Sequence, residues 1–184
     1  MEILIKDIAS ENLSAIPEGC RGCIYWECPE DFERARVMEQ NEKLQFCVEK
    51  KREWFLKTLR EFGGCGKIVY YNDKSVGYAQ YASFTRLPQA RNYESKRLGK
   101  PEEGVVFLSC LYIPNKSMRG RGVGTQLLEH VIDELRKRGF RAVETFARRG
   151  SSNNPSGPIE LYLKEGFYVK EELGSEYVLV RLDL

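Results

Sequence analysis

The sequence contains no apolar run near the ~20 residues that a membrane-spanning helix needs, so no membrane partner is expected. It shows no basic segment followed by a long apolar stretch, so no secretory signal is indicated and a cytoplasmic location is expected. A net charge of +2 is too small to indicate a nucleic-acid partner. A single histidine gives little support for a histidine-based metal site or a Ser-His triad.

The six cysteines are the least ordinary part of the composition. Their even number would suit a disulfide framework, but the chain length and the missing secretory signal favour reduced thiols. Cys20, Cys23 and Cys28 offer three nearby thiolates, whereas a closed zinc site needs four ligands. We therefore expect no metal and a group of buried thiols around Tyr25 and Trp26. A zinc site and a redox pair are the alternatives, so the role of these cysteines stays open.

The hydrophobic pattern predicts an α/β layered domain, with helices alternating with a mixed sheet. The expected strands are residues 1–8, 67–71, 75–84, 105–113, 141–147, 167–172 and 176–182. The expected helices are residues 33–62 with one break, 125–138 and 157–164. Residues 9–32 read as irregular apart from one helical turn near Asn12, and residues 87–104 read as a long basic loop.

A glycine-rich basic turn at residues 119–125 separates an apolar strand from an amphipathic helix. Three alternating glycines, Gly120, Gly122 and Gly124, would let ligand oxygens approach the backbone closely. The free amides and the dipole of the following helix favour an anion, and Arg119 and Arg121 add charged donors. A phosphate or pyrophosphate ligand is therefore predicted.

The spacing of this turn distinguishes among phosphate-binding motifs. It lacks the GxxxxGK[ST] of nucleotide hydrolases and the GxGxxG of dinucleotide-binding proteins. It does match [QR]-x-x-G-x-[GA], as Arg119-x-x-Gly122-x-Gly124. Downstream, the pair Leu161-Tyr162 is followed closely by the pair Gly166-Phe167, and this spacing is typical of the family that also has the glycine motif. Over residues 104–170 the chain thus resembles the GNAT superfamily of acyl-CoA-dependent N-acetyltransferases.

The resemblance implies a fold and a cofactor site. The fold would be a mixed, mostly antiparallel central sheet with splayed central strands, flanked by helices. Residues 1–184 would form one domain, with an acceptor-side segment at 1–66 and an acetyl-CoA-binding core at 104–170. The pyrophosphate would lie on residues 119–125 and the pantetheine beside strand 108–113. The implied cofactor-binding residues are Leu111, Tyr112, Ile113, Arg119, Gly120, Arg121, Gly122, Val123, Gly124, Thr125 and Asn154.

The resemblance also implies a reaction, in which an acceptor amine attacks the thioester directly in a ternary complex. Tyr162 would be the general acid that protonates the departing thiolate, although its phenol could instead only orient the cofactor. The general base stays open among Glu103, Glu144, Glu160, Cys110 and Ser109.

The resemblance implies that the acceptor would be a small-molecule or peptide amine, whose identity the sequence leaves open, and Trp26-Glu27 could line its pocket. The sequence also leaves open whether the protein forms a homodimer. The alternative function is a non-catalytic CoA-binding sensor or regulatory module.

Overall fold

Seven strands form one sheet in the computed structural model, which describes residues 2–95, 99–150 and 157–184. The strands are β1 (Leu4–Asp7), β2 (Gly66–Tyr71), β3 (Lys74–Ser83), β4 (Val105–Tyr112), β5 (Ala142–Arg148), β6 (Tyr168–Glu172) and β7 (Tyr177–Asp183). Their order across the sheet is β1-β2-β3-β4-β5-β7-β6. Neighbours pair antiparallel except β4 and β5, which pair parallel. The expected mixed, mostly antiparallel sheet is confirmed.

Five α-helices accompany the sheet in the described part of the chain. They are α1 (Glu18–Arg21), α2 (Pro29–Ala35), α3 (Gln40–Phe62), α4 (Val123–Lys137) and α5 (Ile159–Lys164). Short 3₁₀ segments occur at Ser10–Ala15, Pro88–Ser95 and Lys116–Met118. The predicted helix 33–62 is indeed broken, because α2 ends at Ala35 and α3 begins at Gln40. No described helix has the length and apolar character needed to cross a bilayer.

Two predictions about irregular segments were wrong. Residues 9–32 contain α1 and the start of α2, and the expected loop at 87–104 contains the 3₁₀ helix Pro88–Ser95. These helices are too short to show a clear 3.6-residue pattern. Packing stabilises them instead: Cys20 of α1 and Ala35 of α2 are buried against the rest of the protein.

The sheet separates two apolar layers. On one face, α3 and the segment that contains Trp26 cover side chains of β4 such as Phe107 and Cys110. On the other face, α4 and α5 cover the side chains of β4 that point the opposite way, including Leu108 and Leu111. Both faces of β4 are therefore buried, which explains its almost continuous apolar sequence.

Candidate active site

The site begins where two neighbouring strands separate. β4 and β5 pair only from Val105 to Phe107 on the β4 side, although β4 continues to Tyr112. Ser109 is the extra residue of a β-bulge, since Leu108 pairs with Tyr81 of β3 and Cys110 pairs with Gln80. A bulge bends the strand that carries it, and here it lies where β4 turns away from β5. The central strands are thus splayed, as expected.

A side chain of β5 closes the base of this split. The Thr145 hydroxyl donates a hydrogen bond of 2.7 Å to the backbone oxygen of Leu108, the first β4 residue beyond the paired segment. Thr145 and Leu108 are both buried, so this bond supplies a partner to a carbonyl that is out of reach of water. The split therefore has a defined, hydrogen-bonded end.

The open half of β4 leads to a helix start with unused backbone donors. The first hydrogen bond of α4 runs from the Gln126 amide to the Gly122 oxygen, at 3.0 Å. The preceding amides, from Val123 to Thr125, therefore have no acceptor inside the helix. Gly122 is the N-cap residue and has no side chain that could accept from them. The arrangement favours an anion at this point.

The three glycines of the turn are required for different reasons. Gly120 and Gly122 have φ of +70° and +80°, where L side chains are strained. Gly124 lies inside α4 without a positive φ, and an added Cβ would meet only Leu161 Cδ2, at 3.9 Å. The fold alone would thus tolerate alanine there, where glycine costs ~0.5–1 kcal/mol relative to alanine. Close approach of a ligand to the helix start would account for it.

These elements surround a cleft of about 240 Å³ between the open half of β4, the start of α4 and the start of α5. Arg119 is oriented there because its Nε donates to the Ile113 oxygen at 2.8 Å. The lining residues are Leu111, Tyr112, Ile113, Arg119, Gly120, Gly122, Gly124, Thr125, Gly157, Pro158 and Leu161. The structure therefore brings together eight of the eleven residues that were predicted to bind the cofactor.

Two of the predicted cofactor residues that the structure describes do not line this cleft. Arg121 is exposed, and the side chain of Val123 is buried in the apolar layer beneath α4. The prediction for Asn154 concerns a residue outside the described ranges. The sequence pattern missed the contribution of the segment just before α5. The Gly157 oxygen accepts from the Arg148 amide at 3.0 Å, and this bond holds Gly157 and Pro158 beside the end of β5 as the far wall.

Tyr162 lies directly behind that wall. An added Cβ on Gly157, which lines the cleft, would be 3.1 Å from the Tyr162 hydroxyl, so the phenol lies next to this part of the wall. Burial raises the pKa of Tyr162 above its ordinary value of about 10, and a hydrogen bond with Thr145 offsets part of that rise. The phenol is therefore protonated at neutral pH, as a hydrogen-bond donor or general acid must be.

The expected base candidates are dispersed. Glu144 is buried, but its Oε1 accepts from Lys170 at 2.6 Å and from Arg181 at 3.0 Å, which makes it part of an ion-pair network. Glu103 and Glu160 are exposed. The Ser109 hydroxyl donates to the Gln80 oxygen at 3.1 Å. Burial raises the pKa of Cys110 well above its ordinary value, which keeps the thiol neutral.

The cysteines are all free thiols in the structure. Burial raises the pKa of Cys20 to about 12 and that of Cys28 to about 11, so both are neutral and weakly nucleophilic near neutral pH. Across the described ranges, no group of three or more histidine, cysteine or carboxylate side chains is placed to hold a metal ion. The buried cysteines pack against apolar neighbours, as free cysteines usually do because they behave as small apolar residues.

Comparison with known proteins identifies the family of this chain. The model of the Acetyltransferase (GNAT) family matches residues 23–167, which is most of the chain. The protein belongs to the GNAT family of acetyltransferases. It is 30% identical over 131 residues to an uncharacterized N-acetyltransferase of Methanocaldococcus jannaschii. That alignment covers 71% of this chain and 51% of the relative, so the chain spans about half the length of this curated protein.

Two solved structures show the same fold. A ribosomal-protein-alanine N-acetyltransferase from Brucella melitensis superposes with a TM-score of 0.62 and 21% identity, over 98% of this chain and 99% of that one. The PaiA N-acetyltransferase from Thermoplasma acidophilum, in complex with coenzyme A, has a TM-score of 0.59 and 17% identity, with 100% of each chain covered. At these identities the likeness describes architecture.

Proposed function

We propose that this protein is an N-acetyltransferase that moves an acetyl group from acetyl-CoA to a primary amine by direct attack in a ternary complex. The observation that carries the proposal is the start of α4. Its amides from Val123 to Thr125 have no acceptor inside the helix, Gly122 cannot cap them, and Gly124 and Thr125 line the cleft beside β4. A pyrophosphate supplies the acceptors and the negative charge that such a helix start favours.

The cofactor would lie in the cleft with its pyrophosphate on residues 119–125. Its pantetheine would run along the open half of β4, where the strand beyond Phe107 no longer pairs with β5. Amide groups of a pantetheine arm can pair with a strand edge as another strand would. The cofactor-binding residues in this proposal are Leu111, Tyr112, Ile113, Arg119, Gly120, Arg121, Gly122, Val123, Gly124, Thr125 and Asn154.

Tyr162 would act on the departing sulfur. As the amine nitrogen bonds to the thioester carbon, the C–S bond breaks and negative charge collects on sulfur. The buried phenol next to Gly157 would donate a hydrogen bond to that sulfur. Because the pKa of Tyr162 is raised while a thiol titrates at about 8.5, complete proton transfer is uphill and hydrogen bonding to the thiolate is the larger part of its role.

The acceptor would be a small-molecule or peptide amine. A peptide acceptor is included because a protein with the same fold is named as a ribosomal-protein-alanine N-acetyltransferase. Residues 1–66 would contribute to the acceptor side, because Trp26 stacks near Phe107 of β4 and Phe146 of β5 on the face opposite α4. Residues 1–184 would form one domain, and the reaction would need no metal.

A two-stage experiment tests this function. Acetyl-CoA binding is measured first by calorimetry and thermal shift, since a ligand that binds the folded state raises the unfolding temperature. Release of CoA thiol is then followed with a panel of polyamines, amino acids, aminoglycosides, and peptides with free N-termini or lysines. We expect binding together with amine-dependent thiol release. Binding without transfer to any amine would favour the CoA-binding sensor instead, and absence of binding would contradict both functions.

A further inference from the structure

A buried polar cluster lies on the face of the sheet opposite α4. It consists of Glu27, Lys51, Tyr78 and Gln80, each at most 6% exposed. The Lys51 ammonium donates to Gln80 Oε1 at 2.6 Å and also to Glu27 Oε1. The Gln80 amide nitrogen donates to the same Glu27 oxygen, and the Tyr78 hydroxyl donates to Gln80 Oε1. The cluster thus joins the segment after α1 to α3 and β3.

The hydrogen bonds to Glu27 are unevenly shared between its two oxygens. Both donors, Lys51 and Gln80, use Oε1. The other oxygen, Oε2, is buried and has no hydrogen-bond partner among the residues that the structure describes. A buried carboxylate oxygen without a donor is costly, and native proteins rarely leave one so. A ligand that brought an N–H donor to Oε2 would remove this cost.

The cluster lies at the split in the sheet. Gln80 pairs directly with Cys110 of β4, next to the Ser109 bulge, and opposed residues of paired strands share a face. Cys110 and Trp26, the chain neighbour of Glu27, belong to the apolar layer on one face of the sheet, whereas Tyr162 belongs to the layer on the other face. Glu27 and Tyr162 are therefore on opposite faces of the sheet, and under the proposed function the thioester would occupy the split between these faces.

Lys51 is a charged partner of Glu27 in this cluster. Burial lowers the pKa of Lys51, but its neighbours together, Glu27 first among them, raise that pKa above its ordinary value. Burial raises the pKa of Cys110 and of Tyr78 well above their ordinary values and that of Cys20 to about 12, which keeps all three neutral. Cys23 also lies near Lys51.

We infer that Glu27 is the carboxylate that receives the proton of the acceptor amine, through Oε2. This inference rests on the proposed function and adds the base that the sequence left open. The acceptor ammonium gives one proton to Oε2, and the neutral nitrogen then attacks the thioester carbon as the C–S bond breaks. The nitrogen loses its second proton to water, and the thiolate accepts a hydrogen bond from Tyr162 and takes its proton from solvent. Glu27 then passes its proton to solvent.

The test compares two small amine probes that need little recognition. Ethylamine is mostly protonated near neutral pH, whereas methoxyamine is mostly neutral and needs no prior deprotonation. In Glu27→Gln, kcat/KM for ethylamine at saturating acetyl-CoA should fall by about 100-fold, within the usual range for acid-base groups. The fall for methoxyamine should be at least ~10-fold smaller, while the Kd for acetyl-CoA stays unchanged. Glu27→Asp, which keeps the charge but shortens the side chain, should be intermediate.

Glu144→Gln is the matched control, because Glu144 is an equally buried, ion-paired carboxylate on β5. It should lower the unfolding temperature and leave the ratio of the two amine rates as in wild type. If Glu27→Gln behaves like this control, or slows both amines equally, the inference is wrong while the acetyltransferase function stands. If Glu27→Gln does not fold, an unchanged amine ratio in Glu27→Asp overturns it. If wild type binds acetyl-CoA but acetylates neither these probes nor any amine of the panel, the proposed function fails and the inference fails with it.

Discussion

The two halves of β4 have similar apolar sequences but opposite roles. Val105–Phe107 pairs with Ala142–Glu144 of β5, and Phe107 packs against Phe84, Trp26 and Phe146. Beyond Phe107 the strand keeps β3 but leaves β5, and its free side borders the cleft. Burial alone does not separate the halves, because residues from Val105 to Leu111 are all buried. The difference shows that a strand can leave its neighbour and border a cleft while its side chains stay buried, because only the hydrogen-bond partner along one edge changes.

The largest effect is expected at the open half, from Tyr162→Phe. This change keeps the buried ring and removes only the hydroxyl, so the fold and the Kd for acetyl-CoA should change little. We expect kcat to fall by about 10²–10⁴, measured in single-turnover conditions where chemistry limits the rate. Because burial raises the pKa of Tyr162, wild-type kcat should show no loss from phenol ionisation between about pH 7 and pH 10.

Phe167→Leu serves as the control for the Tyr162 variant, since Phe167 packs edge-on against that ring at 5.3 Å without a polar group. It should reduce stability and leave kcat within a few-fold. An unaltered kcat in Tyr162→Phe would remove the phenol from the mechanism and leave the cofactor site intact.

A second effect separates ligand binding from folding at the start of α4. Gly124→Glu places a side chain and a negative charge where the pyrophosphate would lie, so acetyl-CoA affinity should fall by at least ~100-fold by calorimetry. Gly124→Ala has room for its Cβ and should raise the free energy of unfolding by ~0.5–1 kcal/mol, because alanine is a better helix residue than glycine. Full affinity in Gly124→Glu would place the cofactor elsewhere.

The smallest effect is expected at the boundary between the two halves, from Thr145→Val. The isosteric change removes the donor to the buried Leu108 oxygen and the hydroxyl that contacts the Tyr162 phenol. Unfolding by urea should show a loss of ~1–3 kcal/mol, the cost of leaving a buried acceptor unpaired, with a modest fall in kcat.

Thr58→Val is the matched control for Thr145→Val. The Thr58 hydroxyl is equally buried but has no hydrogen-bond partner among the described residues, so its removal should be neutral or slightly stabilising. Equal losses from the two threonine variants would mean that the Thr145 bond does not hold the end of the split.

Sequence reasoning succeeded where the signal was local and long. The amphipathic pattern placed α4 within two residues of its start and one of its end, and the Asn72-Asp73 turn located the β2–β3 hairpin, where both residues have positive φ. It failed where helices were only a few residues long, as in α1, or 3₁₀, as in Pro88–Ser95. Such segments form because distant parts of the chain bury them, and a short stretch of sequence does not record that packing.

The sequence by itself determined the glycine-rich helix start and the Leu-Tyr and Gly-Phe spacing, because each depends on neighbouring residues and backbone conformations that those residue types dictate. Only the tertiary structure decided the rest of the site. The split depends on a bulge at Ser109 and on a hydroxyl 36 positions further along the chain. The pairing of Glu27 with Lys51 and Gln80 joins residues 24 and 53 positions apart. Contacts of this kind arise when the sheet assembles, since no local pattern specifies which strand edge stays open or which buried oxygen stays unpaired.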